Sequence, residues 1–272
     1  MAHHRPKDGV LVRVGPIQMF LTTLYARTEI PQLRLLDATT RFFIKVRARP
    51  ILWVLSRLLG TFLPTAEVVT HQQATEFIDA ISGLENTEIS VGPCMCQKAL
   101  KKRNGTYMKD LVILYGSEAY KRAYGSEYKD LSPDEAKSLL RELHDEGMMS
   151  VFYACVRSGG WIYAICGCES KICFPYRAHQ AAGAVMHPGP DIVALNTEGC
   201  TACGRCVERC HFGANSLTNP TAEVDLAKCY GCGLCVSTCA GGARSMVKRE
   251  GYRNRYYPVD LVSKASARQE VV

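Results

Sequence analysis

The sequence lacks the signatures by which nucleotide-using and hydrolytic enzymes are usually recognised. It has no G-x4-G-K-[ST] phosphate loop and no G-x-G-x-x-G dinucleotide turn, so neither backbone cradle for phosphates is present. No H-E-x-x-H pair and no Ser/His/Asp arrangement is visible, and the C-x3-C-x2-C run of the usual S-adenosylmethionine radical pattern is missing. Long apolar runs are also missing. The longest, Ile51 to Pro64, is too short to span a bilayer and contains Arg57. The first nine residues carry no apolar stretch and no twin arginine, so a secretory signal is not expected and a cytoplasmic location is. Acidic residues are scarce at the start: residues 1–65 hold ten Lys/Arg against three Asp/Glu, whereas the whole chain has 33 against 26. The basic N-terminal region therefore stands apart in composition.

Cysteine is present in excess, 14 in 272 residues. Thiols in such number without a secretory signal read as metal ligands in a reducing compartment, not as disulfides. Eight fall in two runs of C-x2-C-x2-C-x3-C, Cys200 to Cys210 and Cys229 to Cys239. In tandem runs of this kind the fourth cysteine ligates the cluster of the other run. That assigns Cys200, Cys203, Cys206 and Cys239 to one 4Fe–4S cluster, and Cys229, Cys232, Cys235 and Cys210 to a second. The runs also form an internal repeat, in which Gly204, Val207, Gly213, Ala214 and Ser216 recur as Gly233, Val236, Gly242, Ala243 and Ser245. Paired structural zinc sites are the bland alternative, but zinc commonly takes two C-x2-C pairs across a long loop.

Over residues 196–260 the chain resembles bacterial-type two-cluster ferredoxin domains, with His211 and Ala240 where the family usually has proline. A second, more scattered resemblance covers residues 66–250. The order Cys94-x-Cys96, Tyr115-Gly116, Pro133-Asp134-Glu135-Ala136, Glu146-Gly147-Met148 and Cys166-x-Cys168-x4-Cys173, followed by the two cysteine runs, is similar to uncharacterised multi-cluster ferredoxin proteins of anaerobic bacteria and archaea. Gln97 and the stretch Glu169-Ser170-Lys171-Ile172 depart from that pattern.

In an extended chain i and i+2 side chains share a face, so Cys94 with Cys96 and Cys166 with Cys168 can each present two thiols together. With Cys173 they are candidate ligands of a third iron–sulfur cluster or of a zinc ion. Otherwise they are thiols packed like small hydrophobes, as Cys155 is expected to be.

Helical segments are expected within 10–65, interrupted at Pro16, Pro31, Pro50 and Pro64, then over 66–83, 117–124 and 133–146. Thr70 with Gln73 and Ser132 with Glu135 form capping boxes. Strands are expected at Ile89–Val91, Met149–Cys155 and Trp161–Cys166, the last two around a Ser158-Gly159-Gly160 turn. The fold class expected is α+β: a helical docking region (1–65), a small helix–hairpin domain (66–195) shaped like a winged helix, and a ferredoxin-type two-cluster domain (196–272).

The function these signals imply is iron–sulfur electron transfer, as a relay subunit or docked partner of a larger anaerobic oxidoreductase in a hetero-oligomeric complex with redox partner proteins. An enzyme with a catalytic third cluster is the alternative. An iron–sulfur redox-sensing regulator is weaker, because Asp134, Glu135, Glu142, Asp145 and Glu146 make the helix at 133–146 acidic and repel nucleic acid. The basic segment around Phe42, Phe43, Ile44 and Trp53 suits a membrane surface or an acidic partner.

Overall fold

A computed structural model describes residues 15–60, 64–83, 87–155, 161–183, 185–218 and 221–252. The turn expected at Ser158-Gly159-Gly160, and the side chains of Arg57, Leu59, Leu63 and Cys155, lie outside the described residues.

Helices α1 (Pro16–Lys45) and α2 (Arg49–Gly60) open the chain. Pro31 does not interrupt α1, which runs on through it. One lost backbone bond is tolerated because the helix is held from outside: it packs along α4, α5 and α7, introduced below. Strand β1 (Thr65–Val69) follows, where a helix was expected. Helix α3 (His71–Ser82) starts only after it, capped by Thr70 with the reciprocal bond from Gln73, and buries Ala74, Phe77, Ile78 and Ile81. Then come β2 (Ile89–Pro93), α4 (Met95–Leu100), β3 (Met108–Ile113), α5 (Tyr115–Tyr124) and the short β4 (Lys129–Asp130). Helix α6 (Pro133–Asp145) has the Ser132/Glu135 box and buries Ala136, Leu140, Leu143 and His144. Strands β5 (Met149–Cys155) and β6 (Trp161–Cys168) pair antiparallel, and α7 (Phe174–Ala182) and β7 (Met186–His187) follow.

Seven of these strands form one mixed sheet in the order β4-β2-β3-β6-β5-β1-β7, with only β1 and β7 parallel. The hairpin β5–β6 is thus the middle of a wide sheet, not a wing. After it, β8 (Asp191–Leu195), α8 (Arg205–Glu208), β9 (Asn215–Thr218), β10 (Thr221–Val224), α9 (Leu234–Ser237) and β11 (Arg244–Lys248) complete the described chain. Two two-stranded sheets result, β9–β10 and β8–β11. The repeat is visible in the backbone: Gly204 and Gly233 sit at φ 76° and 79° at the starts of α8 and α9, a left-handed geometry that glycine adopts without the Cβ penalty.

The expected fold class is corrected on this architecture. The molecule is organised on a seven-stranded mixed sheet with smaller sheets and dispersed helices, not as a small ferredoxin-type two-cluster unit placed after a helix–hairpin domain. The physical cause is strand recruitment. β1, β2 and β3 each bury nearly every residue, so they extend the hairpin on both sides into a core layer. The main core lies between this sheet and α1, α3, α5 and α6, with Ile78, Ile81, Leu111, Ile113, Leu140 and Ile165 fully enclosed.

Candidate functional site: a thiol-floored pocket

Cys166 and Cys168 project from the end of β6 on one face, and both are buried. Strand β3 lies between β2 and β6, so the two C-x-C pairs are not on neighbouring strands. Cys94 reaches the group from just beyond β2, where its N–H donates to the Tyr107 carbonyl at 2.7 Å and its residue caps α4. Cys96 follows on the first turn of that helix. Cys173 arrives through a tight turn after β6. The Glu169 carboxylate holds this turn by accepting from the Lys171 and Ile172 amides, the latter at 2.7 Å. Cys173 then caps α7, whose first amide, on Phe174, donates to the Cys96 sulfur at 3.4 Å.

The five thiols form a closed ring of sulfur contacts: Cys166 to Cys94, Cys94 to Cys96, Cys96 to Cys173, Cys173 to Cys168, and Cys168 to Cys166. Donation from Cys166 and then Cys96 draws Cys94 down to about 3, and donation from Cys166 and Cys173 draws Cys168 down to about 6. Their neighbours Cys96 and Cys166 are pushed up by these contacts and by burial, and Cys173 by its contact with Cys168 and by burial, against the contact from Cys96. The Tyr153 hydroxyl lies 3.3 Å from the Cys168 sulfur.

The ring is the floor of a partly open cavity of about 160 Å³ lined by α1, α2, α7 and the sheet. Its walls are mostly apolar, with Leu33, Leu36, Leu52, Leu55, Phe174 and Ala178 among them. A few buried polar groups also line it. Tyr120 donates to Glu29 at 2.7 Å, and Tyr128 to Asp110 at 2.8 Å. Burial lifts the Glu29 carboxyl to about 7, and burial with the Glu29 charge raises Asp110. Lys109, itself buried on the same strand, turns its ammonium away to the Met148 sulfur at 3.4 Å. Sequence reasoning missed these groups. The available signal was Lys109-Asp110, two charges in the middle of the apolar strand Met108–Ile113.

The eight cysteines of the repeat lie elsewhere. Cys200, Cys203, Cys206 and Cys239 line one cavity of about 20 Å³, and Cys210, Cys229, Cys232 and Cys235 line another of the same size. Arg244 donates to Cys206 at 3.2 Å and to Asn215 at 2.7 Å, and the Ala214 amide donates to Cys210 at 3.2 Å. Backbone donors lower Cys200 and Cys203, whereas burial lifts Cys232 to about 12 and also raises Cys235.

No family model, curated protein or solved structure matches the chain. Among the described residues no group of three or more His, Cys, Asp or Glu side chains is arranged to hold a metal ion. A bound ion needs its donors to converge on one point, at about 2.0–2.3 Å for zinc. No such convergence of three or more donors is found among the described residues. This corrects the metal-based readings: the two 4Fe–4S clusters, the third cluster or zinc ion, and the resemblance to ferredoxin and multi-cluster ferredoxin proteins. With them go electron transfer as an oxidoreductase subunit, the catalytic central cluster and the iron–sulfur regulator, and none of these is carried forward.

Proposed function

We propose that this protein binds a small apolar molecule in the cavity between α1, α2 and α7, with Cys94, Cys96, Cys166, Cys168 and Cys173 as the floor of the site. The observation that carries this reading is the partly open, mostly apolar-walled cavity of about 160 Å³ between α1, α2, α7 and the sheet. Small-molecule sites have this character, an apolar body with a small set of orienting groups. An apolar cavity of about 150 Å³ is large enough to hold benzene, so the ligand class is a molecule of about one ring. Glu29, on the wall beside Tyr120, offers a polar contact for one substituent. The location we propose is cytoplasmic. All thirteen cysteines whose side chains are described are unpaired thiols, which a reducing compartment maintains.

Calorimetric titration of the full chain with toluene and with indole tests the reading. Saturable binding is expected, together with slower alkylation of the ring thiols by iodoacetamide in the presence of ligand. Leu55→Phe, on a half-buried wall position, fills the cavity and removes the binding heat while the melting temperature is kept. No saturable binding, binding unchanged in Leu55→Phe, or an inorganic mass retained by the thiols in native mass spectrometry would each overturn it.

A further inference from the structure

Helix α2 is apolar on two sides. Leu52 points inward and is buried against the cavity, yet Ile51, Trp53 and Val54 point outward and are 53%, 44% and 46% exposed. The end of α1, next in the chain, adds exposed Phe42, Ile44 and Val46, and Phe42 is 58% exposed. Surface apolar residues scattered singly need no explanation, but six exposed ones within residues 42–54 point to an interaction face.

The charges interleaved with this set are of one sign. Arg41, Lys45, Arg47 and Arg49 are exposed, and residues 38–56 contain no Asp or Glu. The nearest acid, Asp37, is buried and already pairs with Arg177 and Arg41. Among the described residues no ion pair engages Lys45, Arg47 or Arg49. No described helix is long and apolar enough to cross a membrane. Aromatic and aliphatic side chains combined with cations, on helices too polar to span, form the surface that lies in the plane of a bilayer interface and favours anionic headgroups.

We infer that the α1–α2 hairpin docks the protein on an anionic lipid bilayer, with Phe42, Ile51, Trp53 and Val54 entering the acyl boundary and Lys45, Arg47 and Arg49 facing the headgroups. This inference stands independently of the cavity reading, because it uses the opposite face of α2. An acidic protein is the competing partner. It would satisfy the arginines but gives no reason for four exposed apolar side chains, one on α1 and three on α2.

Flotation of the full chain with phosphatidylcholine vesicles, with and without phosphatidylserine, decides the matter. Co-flotation is expected only with phosphatidylserine present, and it weakens as salt is raised. Arg47→Gln/Arg49→Gln should lower the apparent affinity about 30-fold, at about 1 kcal/mol for each cation near the surface. Both positions are exposed, so the fold is not at risk, and unchanged far-ultraviolet dichroism checks it. Phe42→Ser/Trp53→Ser should abolish flotation while leaving residual salt-sensitive attraction. Failure to float, equal flotation with neutral vesicles, or retention on an immobilised acidic protein in place of vesicles would overturn the proposal.

Discussion

His144 stands where three parts of the chain meet. Its Nε2 lies 2.7 Å from the Ser237 hydroxyl on α9, its ring lies 5.2 Å from that of His71 on α3 at a 30° tilt, and its carbonyl accepts from Arg209. Burial first, then the His71 and Arg209 charges, hold its pKa down at about 4, while Asp145 pushes the other way. Burial and then Arg141 lower His71 likewise, again against Asp145. An unfolded histidine takes its proton near 6.5, so between about 6.5 and 4 the unfolded chain binds more protons. The contribution is therefore full above about 6.5 and is lost as pH falls toward 4. Glu29 has the opposite sign. Lifted from 4.5 to about 7, its contribution is full below 4.5 and is lost as pH rises through 7. His144→Gln retains a partner for Ser237 and removes one titration. Its melting temperature should fall less than that of the wild type between pH 6.5 and 4.5, and an unaltered slope would show that His144 is not the group responsible. At the same scale, a Cβ on Gly116 would stand 2.4 Å from the Tyr163 carbonyl oxygen. Gly116→Ala should cost about 1–3 kcal/mol in denaturant unfolding, the range for overpacking.

Elements with local start signals were legible. Both capping boxes are made, and the buried stripes of α3 and α6 follow the spacing of their apolar residues. Ser132→Ala should therefore cost about 1 kcal/mol of stability, measured by urea denaturation. A loss near zero would mean that packing of Leu140 and Leu143 alone holds the helix. Strand β1 was not legible. It is buried from Ala66 to Val69, with Glu67 enclosed and paired to the Tyr252 hydroxyl, so it shows none of the alternation that marks a half-exposed strand. Its sequence, Ala-Glu-Val-Val, reads as the first turn of the helix that follows. Pro31 misled in the other direction. A lone proline costs a helix one backbone bond and some crowding, which lateral packing along thirty residues can exceed.

At the scale of the molecule, the ion pair between Asp37 of α1 and Arg177 of α7 ties together two helices that line the cavity. Asp37 is 2% exposed, so removing its partner leaves a buried charge with only the solvent-facing Arg41. Arg177→Met should lower stability by about 3 kcal/mol, in line with breaking one partner of a buried pair, and should weaken toluene binding as α1 loosens from α7. Unchanged stability would mean that Arg41 alone satisfies the carboxylate. The sequence by itself determined what depends on neighbours in the chain: caps, helix stripes, the twofold cysteine repeat with its left-handed glycines, and the segregation of positive charge into the first 65 residues. Only the tertiary structure decided that β3 enters between β2 and β6, that five cysteines on three separate segments close into one ring, and that α2 shows apolar side chains both to a cavity and to the outside. Local conformation is set by residues a few positions apart, through sterics and short hydrogen bonds. Strand order is set by which distant surfaces bury best together, and no spacing within the chain records it.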